Sequence, residues 1–153
     1  LIAGEEPELC FRLRRAGGRV RRLPGAITLH DAAMTRFAQW WTRTKRSGHA
    51  AAEAWALHGA AGETQMVKIA RSAVFYGVLA PLGSALAALG LALVVAPLWA
   101  AAPFALLALV YLRLFAKVRA HRLERGDSAA DAALYARFTL LGKFAESTGV
   151  FAF

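Results

Sequence analysis

The chain has 153 residues, 58% of them hydrophobic, and a net charge of +9 from 19 Lys and Arg against 10 Asp and Glu. That apolar share exceeds the usual one for a soluble domain, and a chain both basic and apolar is suited to an anionic membrane surface or a polyanion. Cys10 is the single cysteine, which excludes an internal disulfide and a thiolate metal cluster. No secretory signal pattern opens the chain. Leu1 in place of a starting Met, and an apolar end at Phe153, read as the cut ends of a longer protein.

Taken in chain order, Glu5, Glu6, Pro7 and Glu8 predict a helix start. Acids suit the positive end of the helix dipole, and Pro suits the first turn. Leu9, Leu13 and Ala16 recur at helical spacing, and Gly17-Gly18 predicts the stop. A Gly-led loop of carboxylates before a helix can supply a base or bind a cation; ordinary helix-start acids have the same pattern. Val20, Ile27 and Leu29 suggest short extended segments around a Pro24-Gly25 turn. His30-Asp31 follows, a pair that can bind metal or hydrogen-bond locally.

A second helix is expected over about Ala33–Lys45 and a third, Ala-rich, over about His49–His58. Arg36, Gln39, Arg43 and Arg46 are spaced by three, four and three residues, so at ~100° per residue they form one polar stripe. Met34, Phe37, Ala38 and Trp41 are expected to face the other way and be buried. Guanidinium forks suit phosphate recognition. The same helix, with Trp40 and Trp41, also suits the lipid–water interface.

From Ser72 to Leu112 the chain carries no charge. One membrane span takes ~20 apolar residues, so this run fits two spans, expected over roughly Val74–Val95 and Pro103–Ala116. The break is expected between Pro97 and Pro103, around Trp99. A buried helical hairpin of a soluble protein is the alternative. Lys68 and Arg71 precede the run, Arg113, Lys117, Arg119, Arg122 and Arg125 follow it, and the turn is uncharged. By the positive-inside rule both flanks are cytoplasmic. Gly126-Asp127-Ser128 predicts a turn and helix cap. Asp131–Phe144 then predicts an amphipathic helix bearing Arg137 and Lys143 among Leu134, Phe138, Leu141 and Phe144. It suits either a membrane surface or packing on a neighbouring domain.

Two segments together resemble a known family. Gly4-Glu5-Glu6-Pro7-Glu8-Leu9-Cys10, followed by Arg12-Leu13-Arg14 and Gly17, resembles the G-E-D-x-E-L-x-x-R-L-x-x-x-G segment of family 2 glycosyltransferases. His30-Asp31 with Phe37-Ala38-Gln39-Trp40-Trp41-Thr42-Arg43 resembles the downstream part of membrane-bound members. The resemblance runs from Leu1 to about Glu53. It implies the C-terminal edge of an α/β GT-A catalytic domain, which transfers a sugar from a nucleotide-sugar donor. Glu6 stands where the family has its catalytic Asp, with Glu5 beside it as the other carboxylate that can reach. His30 matches a late metal-holding histidine, so a divalent cation (Mg or Mn) is implied, bound mostly by residues upstream of this chain. From the polar stripe, Gln39, Arg43 and Arg36 are expected on the substrate side, where positive charge can meet the phosphates. Thr42 and Arg43 stand in the Arg and Trp places of the processive motif Q-x-x-R-W, so a processive polymerase is not expected.

The expected fold is therefore mainly α. Residues 1–58 form the end of a catalytic domain with interfacial helices, 72–116 a transmembrane hairpin, and 128–153 an amphipathic or membrane-associated segment. The expected protein is multi-pass in the plasma (inner) membrane, with its catalytic part in the cytoplasm. Its expected partners are the nucleotide-sugar donor, a glycan or lipid-linked acceptor, and membrane lipid. The competing expectation is a non-enzymatic membrane protein that binds anionic lipid or a partner subunit. Nucleic acid is not expected, because the charge clusters at the membrane flanks.

Overall fold

The computed structural model describes residues 3–21, 23, 25, 34–62 and 64–153. Among these the structure is 83% helix with no strands. Six α-helices follow in order: α1 Glu5–Arg15, α2 Phe37–His58, α3 Gln65–Val74, α4 Ala80–Val94, α5 Ala101–Glu124 and α6 Ala129–Val150. A π turn, Phe75–Leu79, joins α3 to α4, and a 3₁₀ turn, Pro97–Ala100, leads into α5. The expected extended segments at Ile27 and Leu29, and the start of the second helix at Ala33, lie outside the described residues.

Helix α2 corrects two expectations. It runs unbroken through Ser47-Gly48, where two separate helices were expected. Its buried side is also different. Trp40, half-buried, meets Phe138 of α6 edge-on with ring centroids 4.9 Å apart. A Cβ on Gly142 of α6 would sit 3.6 Å from the Thr44 methyl, and one on Gly48 would sit 1.9 Å from the Glu146 carbonyl oxygen. The contacts thus advance by four residues on both helices at once, so α2 and α6 run parallel. Gly48 is not a helix breaker here: its missing side chain lets two backbones meet, and that packing outweighs its poor helix propensity. Phe37, expected in the buried face, is 57% exposed.

Helix α6 is the centre of the bundle, packing on α2, α3, the π turn and α5. It starts with Ser128, whose hydroxyl accepts the Asp131 amide at 3.1 Å, as the turn sequence indicates. Leu134 and Leu141, expected on the apolar side of an amphipathic helix that faces either a membrane surface or a neighbouring domain, are exposed. The buried residues are instead Ala132, Ala136, Gly142, Ala145, Ser147 and Gly149. Two further glycines are in backbone contact. A Cβ on Gly149 would fall 1.9 Å from the Lys45 carbonyl oxygen, and one on Gly77 would fall 2.4 Å from that of Lys143. Every buried hydrophobic residue is an alanine, and no large side chain is fully buried among the described residues. Close approach of small residues, with the dispersion contacts it permits, holds this bundle together.

Helices α5 and α6 form an antiparallel pair closed by a short turn. Arg122 lies over the Tyr135 ring at 4.4 Å and pairs with Asp127 at 2.5 Å, while Tyr111 stacks on Phe144 further along. At the level of Tyr111 the hairpin leaves the bundle. The Tyr111 hydroxyl donates to the Tyr76 carbonyl in the π turn, a place where the wider register disturbs the ordinary helix ladder. Beyond it, α4 packs only on α5 and the neighbouring turns among the larger contacts. Leu93, Val94 and Leu98 at the tip are largely exposed, Leu98 by 85%. The break runs from Val95 through the 3₁₀ turn Pro97–Ala100, overlapping the expected Pro97–Pro103 region, and Pro103 sits in the first turn of α5, where it costs no helix hydrogen bond. Two helical stretches, Gln65–Val94 and Pro97–Glu124, are long and apolar enough to cross a membrane. Their most apolar windows are 6% and 0% buried, so the apolar side chains face outward rather than into a core.

The glycine contacts generate a direct test. Gly149→Ala places a methyl group against a rigid backbone oxygen, so the helices must separate; overpacking of this kind costs about 1–3 kcal/mol or more. A methyl group added at Gly83 in α4 would meet nothing within 4 Å, and Gly83→Ala should be neutral or stabilising by up to ~1 kcal/mol. Thermal unfolding in detergent should show a clear loss for the first variant and none for the second.

Candidate functional site

Gly4 begins the site. It precedes α1 with φ of 80°, a left-handed conformation that favours glycine. A Cβ there would lie 2.9 Å from the Ala50 side chain, so the acidic turn is pressed against the middle of α2. Glu5 and Glu6 follow in the first turn of α1, both exposed. Ala3, just ahead of them, lines an open groove of about 690 Å³ together with Met34, Gln39, Thr42, Arg43 and Arg46. The structure therefore brings the acidic turn alongside one end of the cationic stripe.

The stripe itself is divided. Gln39, Arg43 and Arg46 share that groove. Arg36 lines a neighbouring groove of about 430 Å³ with Phe37, Trp40 and Phe138. Met34 and Ala38, expected on the opposite face, line the groove with Gln39 and Arg43. Met34 precedes the helix, so helical spacing does not govern where it lies. Gln39 also caps α2: its side-chain oxygen accepts the Thr35 and Arg36 amides, each at 3.0 Å. His30 and Asp31 lie outside the described residues. Among the described residues, no group of three or more His, Cys, Asp or Glu could hold a metal ion.

A second cluster lies behind the acidic turn. Glu8 is 8% exposed, the one buried charged residue among those described. Its carboxylate meets His58 Nε2, on the last residue of α2, at 2.9 Å. Arg12 Nε donates to it at 2.9 Å. The hydrogen bond to His58, then that of Arg12, hold the Glu8 carboxyl below its ordinary value of 4.5, against the opposing effect of burial. Phe11 tilts against the His58 ring at 4.8 Å. The Glu8–Arg12 pair is legible in sequence as an i, i+4 couple. His58 is fifty residues away, and no local signal links it to Glu8.

The class that these features define is a small helical bundle with a projecting apolar hairpin and a polar groove beside an acidic turn. The chain matches no protein-family model, no curated protein and no solved structure.

A group with a lowered folded-state value contributes stability above its unfolded value and loses it as pH falls through the folded one. Amide exchange protection in α1 should therefore hold above pH 4.5 and step down as pH falls further. Hydrogen exchange mass spectrometry across that range should show the step in the native protein and little or none in Glu8→Gln.

Proposed function

We propose that this chain belongs to a membrane-bound glycosyltransferase that moves a sugar from a nucleotide-sugar donor to a glycan or lipid-linked acceptor at the cytoplasmic face. The observation that supports the reading is that Gly4, at the start of the acidic turn, sits against Ala50 of α2 while the adjacent Ala3 lines the Arg43 groove. Transfer to an acceptor hydroxyl needs a carboxylate to take its proton and positive charge to stabilise the departing diphosphate. Glu6, with Glu5 beside it, is assigned the first role. As the acceptor oxygen bonds to the anomeric carbon, the bond from that carbon to the diphosphate breaks. Arg43, with Gln39 and Arg36 nearby, is assigned to the diphosphate, where a planar guanidinium fork matches phosphate oxygens. The GT-A part, the nucleotide-binding elements and the divalent cation are assigned largely to sequence outside this chain, with His30 as this chain's contribution to the metal.

The two apolar helical stretches support insertion in the plasma (inner) membrane, with the basic flanks at Arg71 and Arg113 on the cytoplasmic side. In intact cells, a cysteine at Ala101 near the hairpin tip should react with an impermeant thiol reagent added outside. Labelling only after the cytoplasmic side is opened would refute this orientation.

Activity is tested with membranes containing the full-length protein and a panel of labelled nucleotide sugars. Glu6→Gln should lower turnover by about 10²–10⁴-fold with donor binding nearly intact. A full loss in Glu5→Gln, with Glu6→Gln active, moves the base to Glu5. Arg43→Ala should lower activity far more than expression, and Arg43→Lys should restore only part, since it keeps the charge and loses the fork. A non-enzymatic protein that only binds anionic lipid predicts no transfer with any donor and full replacement of Arg43 by Lys in vesicle binding.

A further inference from the structure

Helix α1 has little apolar surface with which to fix itself. Leu9 and Leu13 are each 47% exposed, and Arg12, Arg14 and Arg15 face solvent. What it offers α2 is the Gly4 contact on Ala50, the half-buried Phe11, and the Glu8 carboxylate. Van der Waals contact at a glycine is non-directional and tolerates sliding. The hydrogen bond that the Glu8 carboxylate accepts from His58 does not: it fixes both the rotation and the height of α1 against the end of α2. Arg12 takes up the remaining capacity of the carboxylate from within the same helix. Glu5 and Glu6 lie less than one turn from Glu8, and a one-residue slip of α1 would rotate them by ~100°. A buried polar pair is well suited to specifying one register where apolar packing permits several.

We propose that Glu8 and His58 are positioning residues for the acidic turn. They hold the first turn of α1, which carries Glu5 and Glu6, against α2 next to Ala3, a residue lining the Arg43 groove, without themselves touching substrate. The inference rests on the transferase reading and adds to it two residues that the family resemblance does not assign. The donor groove is lined mainly by α2 and the residues just before it, so loosening α1 displaces the base while leaving the diphosphate site in place. A defect in positioning therefore falls on kcat and spares the donor KM.

The test uses the full-length protein in membranes and whichever nucleotide sugar the native enzyme turns over. His58→Phe keeps a ring against Phe11 and removes the hydrogen bond. His58→Gln keeps an amide nitrogen near the position of Nε2. His58→Phe should lower kcat by on the order of 10–100-fold, with donor KM within about twofold, and His58→Gln should recover most of the loss. Half-buried Cys10, on α1, reports docking independently: its maleimide labelling, followed at the Cys10 peptide by mass spectrometry, should quicken in His58→Phe and return toward native in His58→Gln. If His58→Phe does not accumulate, Glu8→Gln carries the same comparison, since it keeps the side-chain size and removes the negative charge. A native protein inactive with every donor overturns the transferase reading, and the positioning role falls with it. An active native protein with an equally active His58→Phe overturns the positioning role alone. So does a variant in which kcat and donor KM change together while Cys10 labelling stays native.

Discussion

The backbone contact between α2 and α6 is the constraint on which the rest of the molecule depends. Gly48 meets the Glu146 carbonyl and Gly149 meets that of Lys45 at distances that no side chain could share. Apart from Glu8, Ala, Gly and Ser fill the remaining buried positions among the described residues. Such packing gains little from hydrophobic transfer, because an alanine removes little area from water. It gains instead from the number of close atomic contacts between two helices that approach without side chains between them. Helices in lipid associate for this reason, where the surrounding tails are as apolar as any core. The bundle beneath the hairpin is built in that manner even though α2 carries charge along one side.

Because α6 is held so closely to α2, it carries α2 to the base of the hairpin. On its other sides α6 meets Gly77 in the π turn and Tyr111 and Arg122 of α5. The polar groove, the acidic turn and the apolar hairpin therefore share one framework, although the chain separates them by up to a hundred residues. The π turn marks where bundle and hairpin part. Gly77 permits the approach to α6 there, and the Tyr111 hydroxyl satisfies the Tyr76 carbonyl. Past that level the apolar side chains of α4 and α5 turn outward, an arrangement that costs heavily in water and nothing in hydrocarbon.

The acidic turn is held by a different kind of force. Packing by small residues tolerates sliding along the ridge, whereas the Glu8 carboxylate accepts hydrogen bonds only within a narrow range of angle and distance. The polar contact fixes direction where the apolar ones supply proximity. Glu8 is thus the acid of the Gly4–Glu8 segment with a structural position of its own, while Glu5 and Glu6 are exposed.

The sequence by itself determined the elements whose cause is local. The uncharged run from Ser72 to Leu112 forecasts a long apolar hairpin, because it holds no charge and few polar groups over a length that fits two spans. The Gly17-Gly18 stop and the Ser128 cap are legible because each satisfies backbone groups within a few residues, and the Glu5–Glu8 start because acids suit the positive end of the helix dipole. The spacing of Gln39, Arg43 and Arg46 forecasts their common face through helix geometry alone. Only the tertiary structure decided which faces are buried. Size and hydrophobicity point to Phe37, Leu134 and Leu141, yet the buried face of α6 is its alanines and glycines, because backbones that touch leave no room for large side chains. Gly48 reads as a gap between helices, and becomes the reason that α2 is continuous, once Glu146 lies against it. The meeting of Glu8 with His58 has no local signature at all, since a hydrogen bond between helices fifty residues apart exists only after α1 has docked on α2.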